Sequence, residues 1–406
     1  MPPRLALALA PDRLVVAATA EQVKAVLKGE KRTRTLTDTD DYQALLKHFR
    51  PTGPVRLVVN VPRVLELVKG ATTGPELESL RKTLRMVGAD CLGSVVGHMR
   101  VGASSYDSKA ELLFLMSGQR TGIAQLLSME NLSTTPAANV PAWTFVYAAC
   151  NVNVPKLIDQ IEQAMREVDP AGADKLHDGM AQKLPNGDTV DYRKEFLDHL
   201  RGPLTASFAL TKPISISSGR VLLGLGHGDQ AALARFLGGA NLQAFLQPRD
   251  VRGTQVYDVQ PLPPLVPAGL ALAATKDRLV LGNVPAVEAA LAPAAEPLSA
   301  TEVWKRAARV APEQAWLIVY VDQRGLLQGL LEVAKKKDDA AAGVAGGPDF
   351  VAAVVMMAAN SLSNNASGGA AGGFEKFLSY AGQTIYAAAT TPDGIQFTVV
   401  QLKPEK

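Results

Sequence analysis

Internal repetition is the feature that most constrains the fold of this 406-residue chain. Residues 5–27 recur as residues 270–291: both segments contain an apolar run, an Asp-Arg pair, a second apolar run and a short amphipathic stretch. This order predicts a strand, a turn, a strand and a short helix. A looser copy covers residues 218–237. Repeated segments are units of architecture, so they have to be interpreted before any single motif is.

A second repeated unit is a buried strand that leads directly into a helix. The sequence Asn60-Val-Pro62 recurs as Asn153-Val-Pro155, each after an apolar run, and residues 316–327 form a divergent third copy. Proline suits the first helical turn because it needs no amide hydrogen there. We therefore interpret these motifs as strand-to-helix junctions and not as binding sites.

A third repeated unit is a hairpin that follows a helix. It covers residues 92–116, 200–225 and 381–402, and Asp393-Gly394 is a strong turn signal in the last copy. Helices are predicted near residues 41–48, 76–86, 156–168, 192–200, 301–309 and 349–362. The predicted fold class is α+β: repeated strand–helix–hairpin units that give mostly antiparallel sheets, with helices covering one face.

The repeats also predict the domain organisation. Residues 141–406 run through the order of units once in full, whereas residues 1–129 match only its second half. We therefore expect an N-terminal α+β half-unit at 1–129, a linker at 130–140 and a C-terminal α+β domain at 141–406. The half-unit would fit either a piece of a longer chain or a divergent arrangement of the repeats.

The apolar segments are too short to be membrane or export signals. The run at residues 5–10 is shorter than the apolar core of a signal peptide, and Asp12 interrupts it, so we expect a strand there. No window approaches 18 uncharged apolar residues, which predicts that no segment spans a membrane. The apolar stretch at 350–359 is expected to be a buried helix.

Composition excludes several classes of protein. Hydrophobic residues make up 47% of the chain, and 42 Lys and Arg nearly balance 39 Asp and Glu, which is typical of a soluble globular protein and not of a disordered one. A net charge of +3 gives no reason to expect a nucleic-acid partner. Two cysteines are too few for a disulfide scaffold or a Cys-based zinc module.

The combination of Asp-Arg hairpins, Asn-Val-Pro junctions and glycine-containing hairpin starts resembles a family of large bacterial proteins. These proteins are rich in Ala and Leu, carry a repeated domain of unknown function and are often exported. The resemblance covers most of the chain. It implies a place outside the cytoplasm, at the cell envelope, although the sequence shows no evident signal peptide. It implies no activity and no catalytic residues.

One glycine-rich segment invites comparison with a dinucleotide-binding turn. Gly224, Gly226 and Gly228 follow a predicted strand and precede a predicted helix, but the G-x-G-x-x-G fingerprint requires a glycine where this chain has Asp229. An aspartate there would cap the helix and repel a phosphate. We therefore predict no phosphate binding at this turn.

The residues that could bind metals or act as catalysts are scattered. The five histidines are His48, His98, His177, His199 and His227. Because none shows metal-ligand spacing, we expect no metal and no organic cofactor. One acidic region, with Asp174, His177, Asp178, Asp198 and His199, could assemble a site in space or could simply be two exposed polar helices.

The two cysteines suggest no catalytic role. Cys91 and Cys150 are expected to be small buried hydrophobic residues, although spacing alone leaves their redox state open. A cysteine nucleophile needs a neighbouring histidine base, and His98 is the one histidine near Cys91 in the sequence.

Two functions remain. The first is a non-enzymatic structural or binding protein whose repeated units offer a surface to a partner, an envelope component or a ligand. The alternative is a hydrolase with a site assembled near Asp174–His199. We favour the first because function has to be argued from a site, and the repeated positions are scaffold positions. Convergence of His177 and His199 with two carboxylates in a cleft would favour the hydrolase.

Overall fold

A computed structural model describes residues 6–10, 13–17 and 20–28, most of the chain from 53 to 335, and residues 380–404. The gaps between 53 and 335 are at 72–74, 87, 104, 117, 119, 121–123, 126, 137, 184–188, 240–241 and 262–268. Between these three parts, only residues 43, 46 and 378 are described. His48, the predicted helix at 349–362 with its apolar stretch 350–359, and all but residues 43 and 46 of the predicted helix at 41–48 lie outside the described residues.

The chain divides into two compact units, Met1–Pro51 and Thr52–Lys406. In the first unit, β1 (Ala6–Ala10) and β2 (Arg13–Ala17) pair as an antiparallel hairpin, which α1 (Ala20–Leu27) follows. The predicted strand near residues 5–10 is therefore confirmed for Ala6–Ala10.

The second unit contains both strands and helices. Its strands are β3 (Val55–Asn60), β4 (Leu92–Val101), β5 (Ser108–Met116), β6 (Leu132–Ser133), β7 (Thr144–Asn153), β8 (Ala181–Lys183), β9 (Thr189–Asp191), β10 (Leu200–Leu210), β11 (Gly219–His227), β12 (Leu246–Val251), β13 (Thr254–Val259), β14 (Leu270–Ala274), β15 (Arg278–Asn283), β16 (Gln314–Ala315), β17 (Leu317–Asp322), β18 (Gln383–Thr391) and β19 (Gly394–Gln401). Its α-helices are α2 (Val61–Ala71), α3 (Pro75–Met86), α4 (Val154–Val168), α5 (Pro170–Gly179), α6 (Tyr192–Glu195), α7 (Gln230–Leu237), α8 (Val284–Ala290), α9 (Glu302–Ala308) and α10 (Gln323–Lys335).

Thirteen of the described strands form one sheet. Their order is β12-β13-β14-β15-β11-β10-β7-β17-β18-β19-β5-β4-β3. Every neighbouring pair is antiparallel. The predicted α+β class with an antiparallel sheet is confirmed, and so is the hairpin at Asp393-Gly394, which joins β18 to β19.

Helices pack on both faces of this sheet, so the expectation that they cover one face is wrong. On the first face, α9 places Trp304 in a core with Tyr147 and Ile318. On the second face, α7 places Leu233 in a core with Leu225, and α10 packs there as well. The reason is that the central strands carry apolar side chains at successive positions, as in β17, and so present apolar surface on both sides.

The structure divides the chain at residue 51 and not at the predicted linker, 130–140. The strands β3, β4 and β5, which were expected to belong to a separate half-unit, lie in the same sheet as the strands that follow residue 141. The connection is made by β5 and β19, which pair antiparallel from Ser108–Gln401 to Leu115–Gly394. Without this pairing, β5 and β19 would each be the edge strand of a separate sheet. Together they satisfy each other's backbone hydrogen bonds.

Most predicted helices within the described residues are present. The helices near 76–86, 156–168 and 301–309 are α3, α4 and α9. The helix predicted at 192–200 is divided into α6, which ends at Glu195, and a 3-10 helix at Leu197–His199, after which Leu200 pairs with His227 in the sheet. The sequence pattern did not predict α5 or the β12–β13 hairpin.

Candidate functional site

The acidic region predicted around residues 174–199 is organised by an arginine. Arg193 of α6 forms an ion pair with Asp159, and its guanidinium lies 3.5 Å from Glu162 and 3.7 Å from Asp198. The hydrogen bond with Asp159 is the main reason that the pKa of Arg193 is raised. The cluster therefore ties α6 to α4, which is a structural role.

His177 belongs to this cluster, but His199 has different neighbours. His177 Nδ1 lies 3.4 Å from Glu162 Oε1, and its side chain is 56% exposed. His199 lies near Asp229, and its positive charge when protonated contributes to the lowered pKa of that carboxyl, after the larger effect of the Ala232 backbone N–H. The two histidines thus lie near different carboxylates, which is not the convergence that a hydrolase would need.

The residues that the structure describes contain no group of three or more His, Cys, Asp or Glu placed to hold a metal ion. Asp174, which was predicted to belong to the same region, lies 3.7 Å from Arg166, and both side chains are largely exposed. Asp174 is therefore a surface residue with a surface partner.

A buried histidine–glutamate pair that the sequence did not reveal lies on the first face of the sheet. His98 Nε2 is 3.1 Å from Glu111 Oε2, and the residues are directly opposite on β4 and β5. Lys109 Nζ and Gln396 Nε2 approach the other carboxylate oxygen of Glu111, at 3.3 and 3.2 Å. Burial lowers the pKa of His98 against the opposing effect of Glu111. The register of the β4–β5 hairpin would have predicted that these two residues lie opposite each other.

Neither cysteine has the surroundings of a nucleophile. Both are free thiols. The buried Cys91 thiol donates to the Gly88 carbonyl oxygen at 2.9 Å. Burial raises the pKa of Cys150, whose Sγ is 3.7 Å from Met129 Sδ. A cysteine nucleophile needs a base, and the described hydrogen bonds of Cys91 and Cys150 include none.

The glycines at 224 and 226 have a packing role. Both lie inside β11 and not in a phosphate-binding loop. A Cβ atom on Gly226 would lie 2.6 Å from the Arg201 carbonyl oxygen, and one on Gly224 would lie 2.7 Å from Thr205 Oγ1. Asp229 caps α7 by accepting from the Ala232 backbone N–H at 2.9 Å.

A cavity of about 380 Å³ is the best candidate for a ligand site, and we call it the alanine cavity. Its floor is the first face of the sheet, at the cross-strand pairs Ser207–Leu222 and Ala209–Arg220 of β10 and β11. One wall is α8, and the other is formed by the segments 139–144 and 294–296. Its alanines are Ala142, Ala209, Ala286, Ala289, Ala290, Ala294 and Ala295.

Three larger side chains give this cavity chemical character. Trp143 lines the wall and is 41% exposed, in contrast to the buried Trp304 and Trp316. Thr144 is buried, and its hydroxyl has no hydrogen-bond partner within the described residues. Arg220 lies in the floor, where its Nη1 donates to the backbone carbonyl oxygens of Ser217 and Gly219 at 2.9 Å each.

Two other concave regions have a different character. A groove of about 400 Å³ lies at the start of α4, with the exposed cations Lys156 and Arg201 among many polar groups. A pocket of about 260 Å³ lies over β10 and β11 beside Asp277 and Arg278, which form an ion pair with each other at 2.8 Å. The groove contains no unpartnered buried polar side chain within the described residues, whereas the pocket is lined by Trp316, whose buried Nε1 has no hydrogen-bond partner there.

Comparison with known proteins gives little guidance. No family model matches the chain, and no curated protein matches it. Two crystal forms of TP0453, forms III and I, match it with a TM-score of 0.29 and 8% identity, over 68% of this chain and 82% and 81% of that protein. At this TM-score the likeness supports no argument about fold or function. In the described part of the chain, every helix is too short or too polar to cross a bilayer.

Proposed function

We propose that this chain is a non-enzymatic binding protein that holds a small, mainly apolar molecule in the alanine cavity. The observation that carries the proposal is the position of Thr144, which lines this mainly apolar cavity and whose buried hydroxyl has no hydrogen-bond partner within the described residues. A buried hydroxyl without a partner costs free energy. A ligand whose hydrogen-bonding group reached this hydroxyl would recover that free energy.

Size and lining support the same proposal. Pockets for small molecules commonly measure 300–1,000 Å³, are mainly apolar and carry a few polar groups that orient the ligand. The alanine cavity, at about 380 Å³, is at the small end of this range. Its alanines leave room that larger side chains would fill, and Trp143 offers an aromatic face to a ligand.

The absence of an assigned catalytic residue is part of the proposal. The charged residues near the predicted hydrolase site form ion pairs that connect helices, chiefly through Arg193. We therefore infer binding without chemistry, since no contact within the described residues favours the hydrolase alternative.

We also propose that the chain is built from repeated strand–helix–hairpin units. In support, Asn60, Asn153 and Asp322 end β3, β7 and β17, and each side chain accepts a hydrogen bond of 3.0 Å from the backbone N–H three residues later. The hairpins β1–β2 and β14–β15 are also each followed by a helix, with Arg13 and Arg278 beginning the second strand. Membership of the Ala/Leu-rich bacterial family, and a place at the cell envelope, stay proposals with the resemblance as their support.

The fluorescent probe 8-anilino-1-naphthalenesulfonate, which has an apolar aromatic body and one sulfonate group, can test the binding proposal. We expect saturable binding to the full chain, accompanied by quenching of Trp143. The variant Ala289→Leu places three extra carbon atoms in the cavity and should weaken binding about tenfold or more. A matched control is Ala234→Leu, on the exposed side of α7 and away from the cavity.

The result depends on the contrast between the two variants. If both variants bind the probe as the wild type does while remaining folded, the alanine cavity is not the site. Equal loss in both variants would also contradict the proposal, because Ala234 does not line the cavity. Replacing Trp143 by Leu should remove the quenching signal and separate it from the emission of the buried Trp304 and Trp316.

A further inference from the structure

We propose that the outer edge of β3 accepts an extended segment of another protein, which pairs antiparallel and places an acidic side chain opposite Arg56. In the described sheet, β3 is the terminal strand, and it pairs with β4 on one side. Addition of a strand to an open edge is a common mode of peptide recognition, in which backbone hydrogen bonds provide affinity and side-chain pairs provide specificity.

The pairing of β17 with β7 in the same sheet shows how an edge like that of β3 can be paired. Both β3 and β17 are followed by a helix and then by a hairpin. Their registers agree: Asn60 at the end of β3 is opposite Ser94, just after Gly93, and Asp322 at the end of β17 is opposite Gln383, just after Gly382. The edge of β17 that corresponds to the outer edge of β3 is paired with β7.

Apolar side chains of β3 are exposed where an added strand would cover them. On the second face, Val55 is 54% exposed and Leu57 is 44% exposed. The corresponding positions of β17, Leu317 and Val319, are partly buried and lie opposite Cys150 and Ala148 of β7. A strand added to β3 would bring the same kind of cross-strand contact to Val55 and Leu57.

The helix that follows β3 shows the same contrast. Val64, the fourth residue of α2, is 46% exposed. Leu326, the fourth residue of α10, packs in a buried cluster together with Phe145 of β7, the neighbouring strand. In the junction between β17 and β7, α10, which follows β17, therefore packs over β7. Val64 is placed to make the equivalent contact with an added segment.

Charge decides what the added segment should be. The exposed Arg56 occupies the position of Ile318, which lies opposite Ala149. Asn60 and Asn153 end the matching strands β3 and β7, so Arg56 corresponds to Ala149 as well as to Ile318. If β3 of a second copy paired with β3 in the register of β17 and β7, two Arg56 side chains would therefore lie opposite each other. Like charges at directly opposite positions are destabilising. Charged side chains on edge strands are a common defence against self-pairing. A carboxylate in that position forms a favourable pair, so the partner is an extended segment with Asp or Glu between apolar residues.

A synthetic peptide can test this proposal without knowledge of the natural partner. The peptide has the sequence of β7, Thr144–Asn153, with Glu in place of Ala149 and Ser in place of Cys150, and the matched peptide has Lys in place of Ala149. We expect the full chain to bind the Glu peptide about tenfold more tightly than the Lys peptide, because an opposite-charge pair replaces a like-charge pair. Fluorescence anisotropy of the labelled peptides measures both affinities.

A charge reversal in the protein supplies the control. In the variant Arg56→Glu, the order of the two peptides should reverse, which a non-specific apolar contact would not do. The proposal is overturned if neither peptide binds at millimolar concentration, or if Arg56→Glu leaves the order unchanged. Concentration-dependent dimerisation of the wild-type chain that Arg56→Glu alters would identify a second copy as the occupant, and it would also overturn the proposal.

Discussion

His98 lies directly opposite Glu111 in the sheet, with its Nε2 3.1 Å from the Oε2 of the carboxylate. The side chains are only 3% and 14% exposed. Burial disfavours the imidazolium and lowers the pKa of His98, and the nearby cations Arg100 and Lys109 act in the same direction, whereas Glu111 opposes them. A histidine that is held neutral in the folded state makes stability depend on pH.

The direction of that dependence follows from the lowered pKa. The unfolded chain takes up a proton on His98 near its ordinary value of about 6.5, whereas the folded chain takes it up only at lower pH. The free energy of unfolding should therefore fall as the pH falls below about 6.5. In the variant His98→Asn this part of the pH dependence should disappear. Urea unfolding at several pH values between 7.5 and 5 measures it.

The matched control for this substitution is His177→Asn, at a histidine whose side chain is 56% exposed. We attribute to His98 only the part of the pH dependence that disappears in His98→Asn and not in the control. An unchanged slope in His98→Asn would show that other groups cause the acid sensitivity.

Arg193 should matter more for stability than other surface arginines. The variant Arg193→Met leaves the largely buried Glu162 without its arginine, and we expect a loss of about 1 to 2 kcal/mol in the free energy of unfolding. The matched variant is Arg166→Met, because Arg166 and its partner Asp174 are 57% and 71% exposed, and it should cost less than about 0.5 kcal/mol. Chemical denaturation compares the two, and equal costs would contradict the role given to Arg193.

His177 and His199 should be dispensable together. We expect the double variant His177→Ala, His199→Ala to lose less than about 1 kcal/mol of stability, because the two side chains have separate partners. We also expect the melting temperature of untagged protein to be the same with and without a chelator. Stoichiometric zinc in elemental analysis, or a melting temperature that falls on chelation, would show that a metal site had been mistaken for separate surface histidines.

The sequence predicted those parts of the fold that depend on local pattern. The Asn-Val-Pro junctions, the Asp393-Gly394 hairpin and the hairpin of β14 and β15 follow from turn and capping chemistry within a few residues. Local pattern does not determine which strand edges meet, however. The pairing of β5 with β19 joins residues more than 270 positions apart, so the division near residue 130 could not be recognised as internal to one sheet.

The candidate sites were less accessible to sequence reasoning than the fold. The alanine cavity combines residues from β10, β11, α8 and two loops, and its alanines are ordinary helix and strand residues until they are brought together. His98 and Glu111 are separated by a turn, and their relation appears only when the register of β4 and β5 is known. Conversely, the glycines of β11 suggested a binding turn, although close strand packing explains them.

A glycine in the interior of the sheet provides the sharpest test of the strand order. At Gly282, β15 runs so close to β11 that an added Cβ atom would be in hard contact with the Val221 carbonyl oxygen. Because that oxygen belongs to the backbone, one of the two strands would have to move. We expect Gly282→Ala to lower the free energy of unfolding by about 2 kcal/mol or more. The matched variant is Gly179→Ala, at the end of α5, where an added Cβ atom meets nothing within 4 Å. It should be tolerated with a change below about 0.5 kcal/mol. If chemical denaturation finds the two variants equally stable, β11 and β15 are not neighbours at the distance described.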